Sequence, residues 1–216
     1  MVRSLQLFFL GAVFFFAFVF FSYLVHENLF TKIDFNTTVR LQDNIGRNWD
    51  REFSWFSELG SFEFMLIFLV LLFALLRKWV AGCIAFVLFG MLHVVELFGK
   101  YMVNHPPPMQ FMLRTENMLD FPQFHVRAEY SYPSGHAGRA FFLSAILLVL
   151  LWQVKKFPLW IKVGLSGAIV GYDLAMIVSR VTLGEHWMTD VVGGALLGMS
   201  LGLLTSIFLV KTKNSS

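Results

Sequence analysis

The long apolar runs of this chain constrain its fold more than any other feature. Residues 7–25 read LFFLGAVFFFAFVFFSYLV, without a single charge, and apolar windows of 18 or more residues recur further along. About 20 consecutive apolar residues are what a helix needs to cross a hydrocarbon layer of ~30 Å. Inside that layer every backbone amide must be satisfied by the protein itself, which leaves helices or a closed barrel. Continuous rather than alternating hydrophobicity selects helices. Only 14% of the residues are charged, against about 25% in a soluble domain. The chain is therefore read as an integral membrane protein of all-α class, one helical bundle over residues 1–216, with no soluble second domain or repeat.

Six spans are expected, at 5–25, 61–76, 79–99, 136–154, 158–178 and 187–210. The first follows Arg3 and resembles a signal peptide, but it is long for one and no small-x-small cleavage site follows. It is read as a retained span. Arg77 and Lys78, and Lys155 and Lys156, sit in very short links, while Arg3, Lys211 and Lys213 flank the ends. With six spans these basic segments all fall on one side, which the positive-inside rule makes cytoplasmic. The long loops 26–60 and 100–135 then lie outside. In the first of them Leu41, Ile45, Trp49, Phe53 and Phe56 recur at helical spacing, which predicts one amphipathic helix in the outer interface. The net charge of +3 is small and unclustered, so nucleic acid is not an expected partner. The lone Cys83 excludes an internal disulfide and is read as a small packing residue. Asn36-Thr37-Thr38 is a glycosylation sequon only in a secretory-pathway cell and decides nothing.

Ionisable residues in or at the ends of spans are costly, so each is a functional candidate. Here they gather at one end of the bundle: Lys100, His136, Arg139, Arg180, His186 and Asp190. The fourth span opens with Pro133-Ser134-Gly135-His136. Ser134 suits an N-cap, and position 137 is Ala, so no capping box claims the first N–H groups. A helix start left open in this way, with Gly135 allowing close approach, suits a phosphate-like anion. An ordinary capped helix start is the other reading of that turn taken alone. His186 and Asp190, four apart, are expected on one helical face, where the carboxylate would orient the imidazole. Gly194, Gly198 and Gly202 continue that stripe and would let helices pack closely beneath the pair. His93, Glu96 and Lys100 share a face of the third span. Glu96 and Lys100 form either a plain stabilising pair or a device that aims the ammonium into the site. Asp173, seven residues before Arg180, could anchor that arginine.

The set Lys100, Pro133-Ser134-Gly135-His136 and Ser179-Arg180 with His186 and Asp190 resembles the type 2 phosphatidic acid phosphatases, the membrane lipid-phosphate phosphatases related to vanadium haloperoxidases. Their signatures are K-x6-R-P, P-S-G-H and S-R-x5-H-x3-D. The second and third match at every signature position. The first departs: Lys100 and Pro108 are present, but Pro107 stands where the family has arginine. The resemblance implies a nucleophilic His186 that becomes phosphohistidine, an orienting Asp190, and His136 as acid to the leaving oxygen and then helper to water. It implies that Lys100, Ser134, Gly135 and Arg180 hold phosphate oxygens.

Arg139, one turn beyond His136, is the expected substitute for the missing arginine, with Arg114 and Arg127 as weaker candidates and lipid-side snorkelling as the other fate of Arg139. No metal-ligand motif is present and cations could do the work of Mg²⁺, so no metal or cofactor is expected. The expected reaction is metal-independent removal of phosphate from a lipid phosphate monoester or diphosphate at the outer membrane face. The expected partners are the lipid phosphate and the bilayer. A phosphotransferase using the same intermediate, or a non-catalytic lipid-phosphate binder, would fit the same motifs. A haloperoxidase fits poorly, because those relatives are soluble. Neither the lipid nor the oligomeric state is legible.

Overall fold

The computed structural model describes residues 2–116, 118 and 130–210. Arg127, Lys211 and Lys213, used above for the substitute arginine and for orientation, lie outside them. The described residues form α1 (Val2–His26), α2 (Thr31–Asn44), α3 (Asp50–Glu58), α4 (Phe62–Leu76), α5 (Trp79–Met102), α6 (Gly135–Gln153), α7 (Leu159–Thr182) and α8 (Met188–Ser206), with two short 3₁₀ turns, and no strand. The all-helical expectation holds. Five helices, α1, α5, α6, α7 and α8, are long and apolar enough to cross a membrane. α4 has 15 residues, about 22 Å at 1.5 Å per residue, short of the ~30 Å layer. It reaches spanning length only together with Arg47–Glu58, from which it bends by 45°.

α1 belongs to the bundle. Its Gly11 carbonyl accepts from Ser200 Oγ at 2.9 Å, Ser22 Oγ meets Tyr132 Oη at 2.9 Å, and Phe18 stacks on Tyr132. Phe18, Leu69, Phe89, Leu92, Phe142, Met176 and Leu197 fill the core between the helices. α6 and α8 approach almost backbone to backbone. A Cβ added at Gly198 would lie 2.9 Å from Phe142 N and closer still to the Gly138 carbonyl oxygen. Gly194 stands against the Ser134 carbonyl in the same way. The expected glycine seam is therefore the α6–α8 contact.

The outer segment departs from expectation. The single amphipathic helix across 41–56 is broken at Ile45 and Gly46, into the end of α2, a 3₁₀ turn at Arg47–Trp49 and α3. α2 begins ten residues earlier than the apolar pattern and is inverted in polarity. It buries Asp34 and Thr38 while Ile33 and Phe35 are exposed. A helix held by polar anchors gives no apolar period to read.

Candidate active site

The chain direction places the ends of α5 and α7 and the starts of α6 and α8 at one end of the bundle. The short link before α5, with Lys78 donating to the Leu209 carbonyl at 2.8 Å, lies at the other. At the first end a cavity of ≈ 140 Å³ is lined by Lys100, Gly135, His136, Arg139, Arg180 and His186, together with Glu96 and Glu185. Six of the eight expected site residues thus share one cavity. Ser134 and Asp190 stand behind it. Ser134 N donates to the Asp190 carbonyl at 2.9 Å, which ties the start of α6 to the start of α8.

His186 and Asp190 meet, though not as a helix face. His186 lies on the turn before α8, and its Nδ1 is 3.2 Å from Asp190 Oδ2. Asp190 is in the first turn, where its Oδ2 accepts the Trp187 N–H at 3.0 Å. Four-residue spacing was the right signal; the geometry behind it is a helix N-terminus. Gly184, with φ +71°, lets the preceding turn form and leaves room for the Met112 carbonyl, which a Cβ there would strike. Burial holds His186 below the ordinary imidazole range against the opposing pull of Asp190. The neutral ring donates from Nδ1 to the carboxylate, so Nε2 keeps its lone pair.

Arg139 does not snorkel. It is buried, donates from Nε to the Gly60 carbonyl at 2.8 Å and from Nη1 to Glu96 Oε2 at 3.3 Å, and places Nη2 3.4 Å from His136 Nδ1. A guanidinium only donates, so His136 Nδ1 is an acceptor and its proton is on Nε2. Glu96 is more than a partner for Lys100. It accepts Lys100 Nζ at 3.0 Å, faces His93 Nδ1 at 3.3 Å, binds Arg139, and packs so closely on Gly135 that any Cβ there would fall on its carboxylate.

Arg180 donates to Ser57 Oγ at 3.1 Å and pairs with Glu185. Asp173 is not its anchor, since Asp173 accepts from Ser144 Oγ at 2.8 Å instead. Arg180 Nε and Ser134 Oγ are buried with no hydrogen-bond partner among the described residues. Such atoms are uncommon and call for an explanation. Ser134 occupies the N-cap position of α6, but its hydroxyl makes no cap bond.

Arg114 is elsewhere. It donates to the Ile45 and Gln42 carbonyls at 3.1 and 3.0 Å and does not line the cavity. The sequence reading missed Glu185, Ser57, His105 and Asp34. His105 sits inside the departing first motif, five residues after Lys100, and an extra ionisable residue before three prolines was the signal available.

Comparison with known proteins gives the same fold and a family. Phosphatidylglycerophosphatase B of Bacillus subtilis (strain 168) is 29% identical over 162 residues, 73% of this chain and 73% of its own length. An undecaprenyl-diphosphatase of Sulfolobus acidocaldarius is 31% identical over 137 residues, 63% of this chain and 58% of its own. A solved transmembrane PAP2-type phosphatidylglycerolphosphate phosphatase from Bacillus subtilis superposes with a TM-score of 0.73 at 21% identity, covering 95% of this chain and 98% of that one. LpxE from Aquifex aeolicus gives 0.60 at 21% identity, over 80% and 94%. At such identity the two structures speak for the fold alone. The PAP2 superfamily model matches residues 69–213, more than half of the chain and a range that contains the expected site residues. This chain belongs to the PAP2 superfamily.

Proposed function

We propose that this protein is a membrane lipid phosphatase that hydrolyses a lipid phosphate monoester or diphosphate through a phosphohistidine. The observation that carries the reading is the pairing of His136 and His186 in one small cavity with Lys100, Arg139 and Arg180. Phosphoryl transfer asks little of a protein beyond positioning and positive charge around the equatorial oxygens. In the first step His186 Nε2 attacks phosphorus as the bond to the lipid oxygen breaks, and His136 gives that oxygen its Nε2 proton. In the second, water attacks the phosphohistidine, its proton passes to His136, and His186 leaves with its lone pair restored. Ser134 Oγ and Arg180 Nε supply donors that have no partner among the described residues. The phosphate also shares or takes Arg180 from Glu185.

A second cavity supports a lipid as the substrate. It measures ≈ 720 Å³, lies between α4, α6 and α7, and is lined by apolar side chains including Phe64, Phe68, Leu72, Leu147 and Ile169. Its lining residue Leu59 adjoins Gly60, whose carbonyl holds Arg139. The names of the two sequence relatives, a phosphatidylglycerophosphatase and an undecaprenyl-diphosphatase, point to the same class. Phosphatidic acid, phosphatidylglycerophosphate and prenyl diphosphates are the candidates. Purified protein in detergent is expected to release phosphate from at least one of them with EDTA present, and orthovanadate, a trigonal-bipyramidal mimic, is expected to inhibit. Release only upon adding Mg²⁺ would reject the cation-only mechanism. Transfer to an acceptor lipid without release would make it a phosphotransferase, and binding without either would make it a lipid-phosphate binder.

We infer that the site faces the extracytoplasmic side, with both termini cytoplasmic. The support is the basic pairs Arg77–Lys78 and Lys155–Lys156 in the links at the opposite end. Gln110 is exposed in the loop between α5 and α6. In a Cys83→Ser background, Gln110→Cys is expected to react with an impermeant thiol reagent in intact cells. Labelling confined to lysed cells would invert the topology.

A further inference from the structure

Behind the histidine that faces the cavity lies a buried chain of charged groups that phosphate chemistry as derived above does not use. Asp190 Oδ2 faces His186, and Asp190 Oδ1 accepts from His105 Nδ1 at 2.8 Å. His105 Nε2 in turn stands 3.3 Å from Asp34 Oδ2 and 3.4 Å from Thr189 Oγ1. Asp34 accepts the Thr189 N–H at 2.9 Å and the Thr189 hydroxyl at 2.7 Å. Thus α2 supplies a carboxylate to the start of α8. The His105 carbonyl is fixed by Ser131 N and Oγ at 3.0 and 3.1 Å. Asp190 is 0% exposed, Asp34 1% and His105 5%. Neither His105 nor Asp34 lines the 140 Å³ cavity.

We propose that His105 and Asp34 form a second dyad that positions Asp190 for His186, so that the site works through a His186–Asp190–His105–Asp34 chain rather than a single pair. The inference rests on the reading of His186 as nucleophile. A carboxylate can rotate about its Cβ–Cγ bond, and only one oxygen can serve His186 well. With Oδ1 taken by His105, the other oxygen is held toward His186 Nδ1 and the Trp187 N–H. Both ring nitrogens of His105 face carboxylate oxygens, so both donate and the ring is an imidazolium. Burial works to lower its pKa, but the hydrogen bonds to Asp190 and Asp34 overcome this and raise it to about 9. The groups facing the ring are Asp190 and Thr189 from α8, Asp34 from α2, and Tyr132 from the segment before α6. The cation keeps a wholly buried Asp190 from standing as an isolated charge. The second carboxylate keeps His105 from drawing Asp190 away from His186. A dyad that fixes a ligand residue through its partner is the arrangement that tunes metal-bound histidines from behind; here the tuned group is a nucleophile.

The sign of the pH effect follows. His105 is charged below its raised pKa, so its contribution is complete at neutral pH and is lost as pH rises through about 9. The test uses the full-length protein in detergent with phosphatidic acid as the probe substrate, and histidine ¹⁵N NMR as a readout independent of turnover. His105→Gln is expected to lower kcat about tenfold with KM within about twofold, and to broaden or shift the His186 Nδ1–H signal. Asp34→Asn is expected to keep the chain folded and move the alkaline limb of kcat to lower pH, because one of the two carboxylates that hold the proton on His105 is gone. It also serves if His105→Gln does not fold. Wild-type kcat, an unmoved alkaline limb and an unchanged His186 signal, with only the melting temperature lowered, would reduce the dyad to a helix anchor and overturn the proposal. Wild-type protein that releases no phosphate from any lipid, yet shows the His186 signal responding to His105→Gln, would reject the phosphatase reading and keep the dyad.

Discussion

Replacing His186 with alanine is expected to lower phosphate release by on the order of 10⁴-fold or more, the scale seen when a covalent nucleophile is removed. The protein should still fold. Among the described residues the ring contributes one hydrogen bond, to Asp190 Oδ2. After its loss that carboxylate keeps the Trp187 N–H and His105 as donors, so no buried charge is stranded. A structural defect is thus separable from a chemical one by comparing melting temperature in detergent with turnover. Rapid acid-free quenching of the wild type with labelled substrate should trap an acid-labile, base-stable phosphate on the chain. His186→Ala should carry none. Label surviving on that variant would mean that another residue is the nucleophile.

The second large effect is expected at Arg139. Arg139→Lys should lose about tenfold or more in kcat/KM, because at least one charge-assisted hydrogen bond of ~1.5–3 kcal/mol disappears. The guanidinium reaches three elements at once: the Gly60 carbonyl before α4, Glu96 on α5 and His136 on its own helix. An ammonium is a single point and cannot span that fork. The orientation of His136 would loosen with it, so kcat should fall as well as affinity. Arg114→Lys is the internal comparison, since Arg114 binds two carbonyls of α2 and its flank outside the cavity. Full activity and unchanged inhibition by inorganic phosphate in Arg139→Lys would show that the guanidinium only anchors Glu96.

Five of the six expected spans and the motif residues were legible because both are strong one-dimensional signals. An apolar run of 20 residues has one outcome in a bilayer, and the residues Pro133 to His136 and Ser179 to Asp190 are local in the chain. Arg139 was legible for the same reason, since a charge one turn inside an apolar helix must find a bundle partner. The supporting groups were not. His105 reads as part of a failed motif until the fold sets it between Asp34 and Asp190, 71 and 85 residues away. Asp34 sits on a helix whose buried face is polar, so the apolar period that reveals most helices pointed at residues 41–56 instead. Asp173 was assigned to Arg180 by spacing alone, and a closer hydroxyl on a neighbouring helix, Ser144, took it.

The contact between α6 and α8 has a further meaning. Most distances in a protein are set by side chains, and a side chain is a compliant spacer: it changes rotamer, yields to heat, and drifts as neighbouring residues are replaced. Between these two helices the spacer is absent, because Gly194 and Gly198 rest directly on the main chain at Ser134, Gly138 and Phe142. One helix carries His136 and the other follows His186. The gap between the two helix starts that bear or adjoin these histidines is therefore governed by main-chain thickness, a quantity that neither temperature nor sequence drift elsewhere in the bundle can readily alter. The aromatic filling around Phe18 and Phe89 can repack within the core while the two helix starts keep their separation.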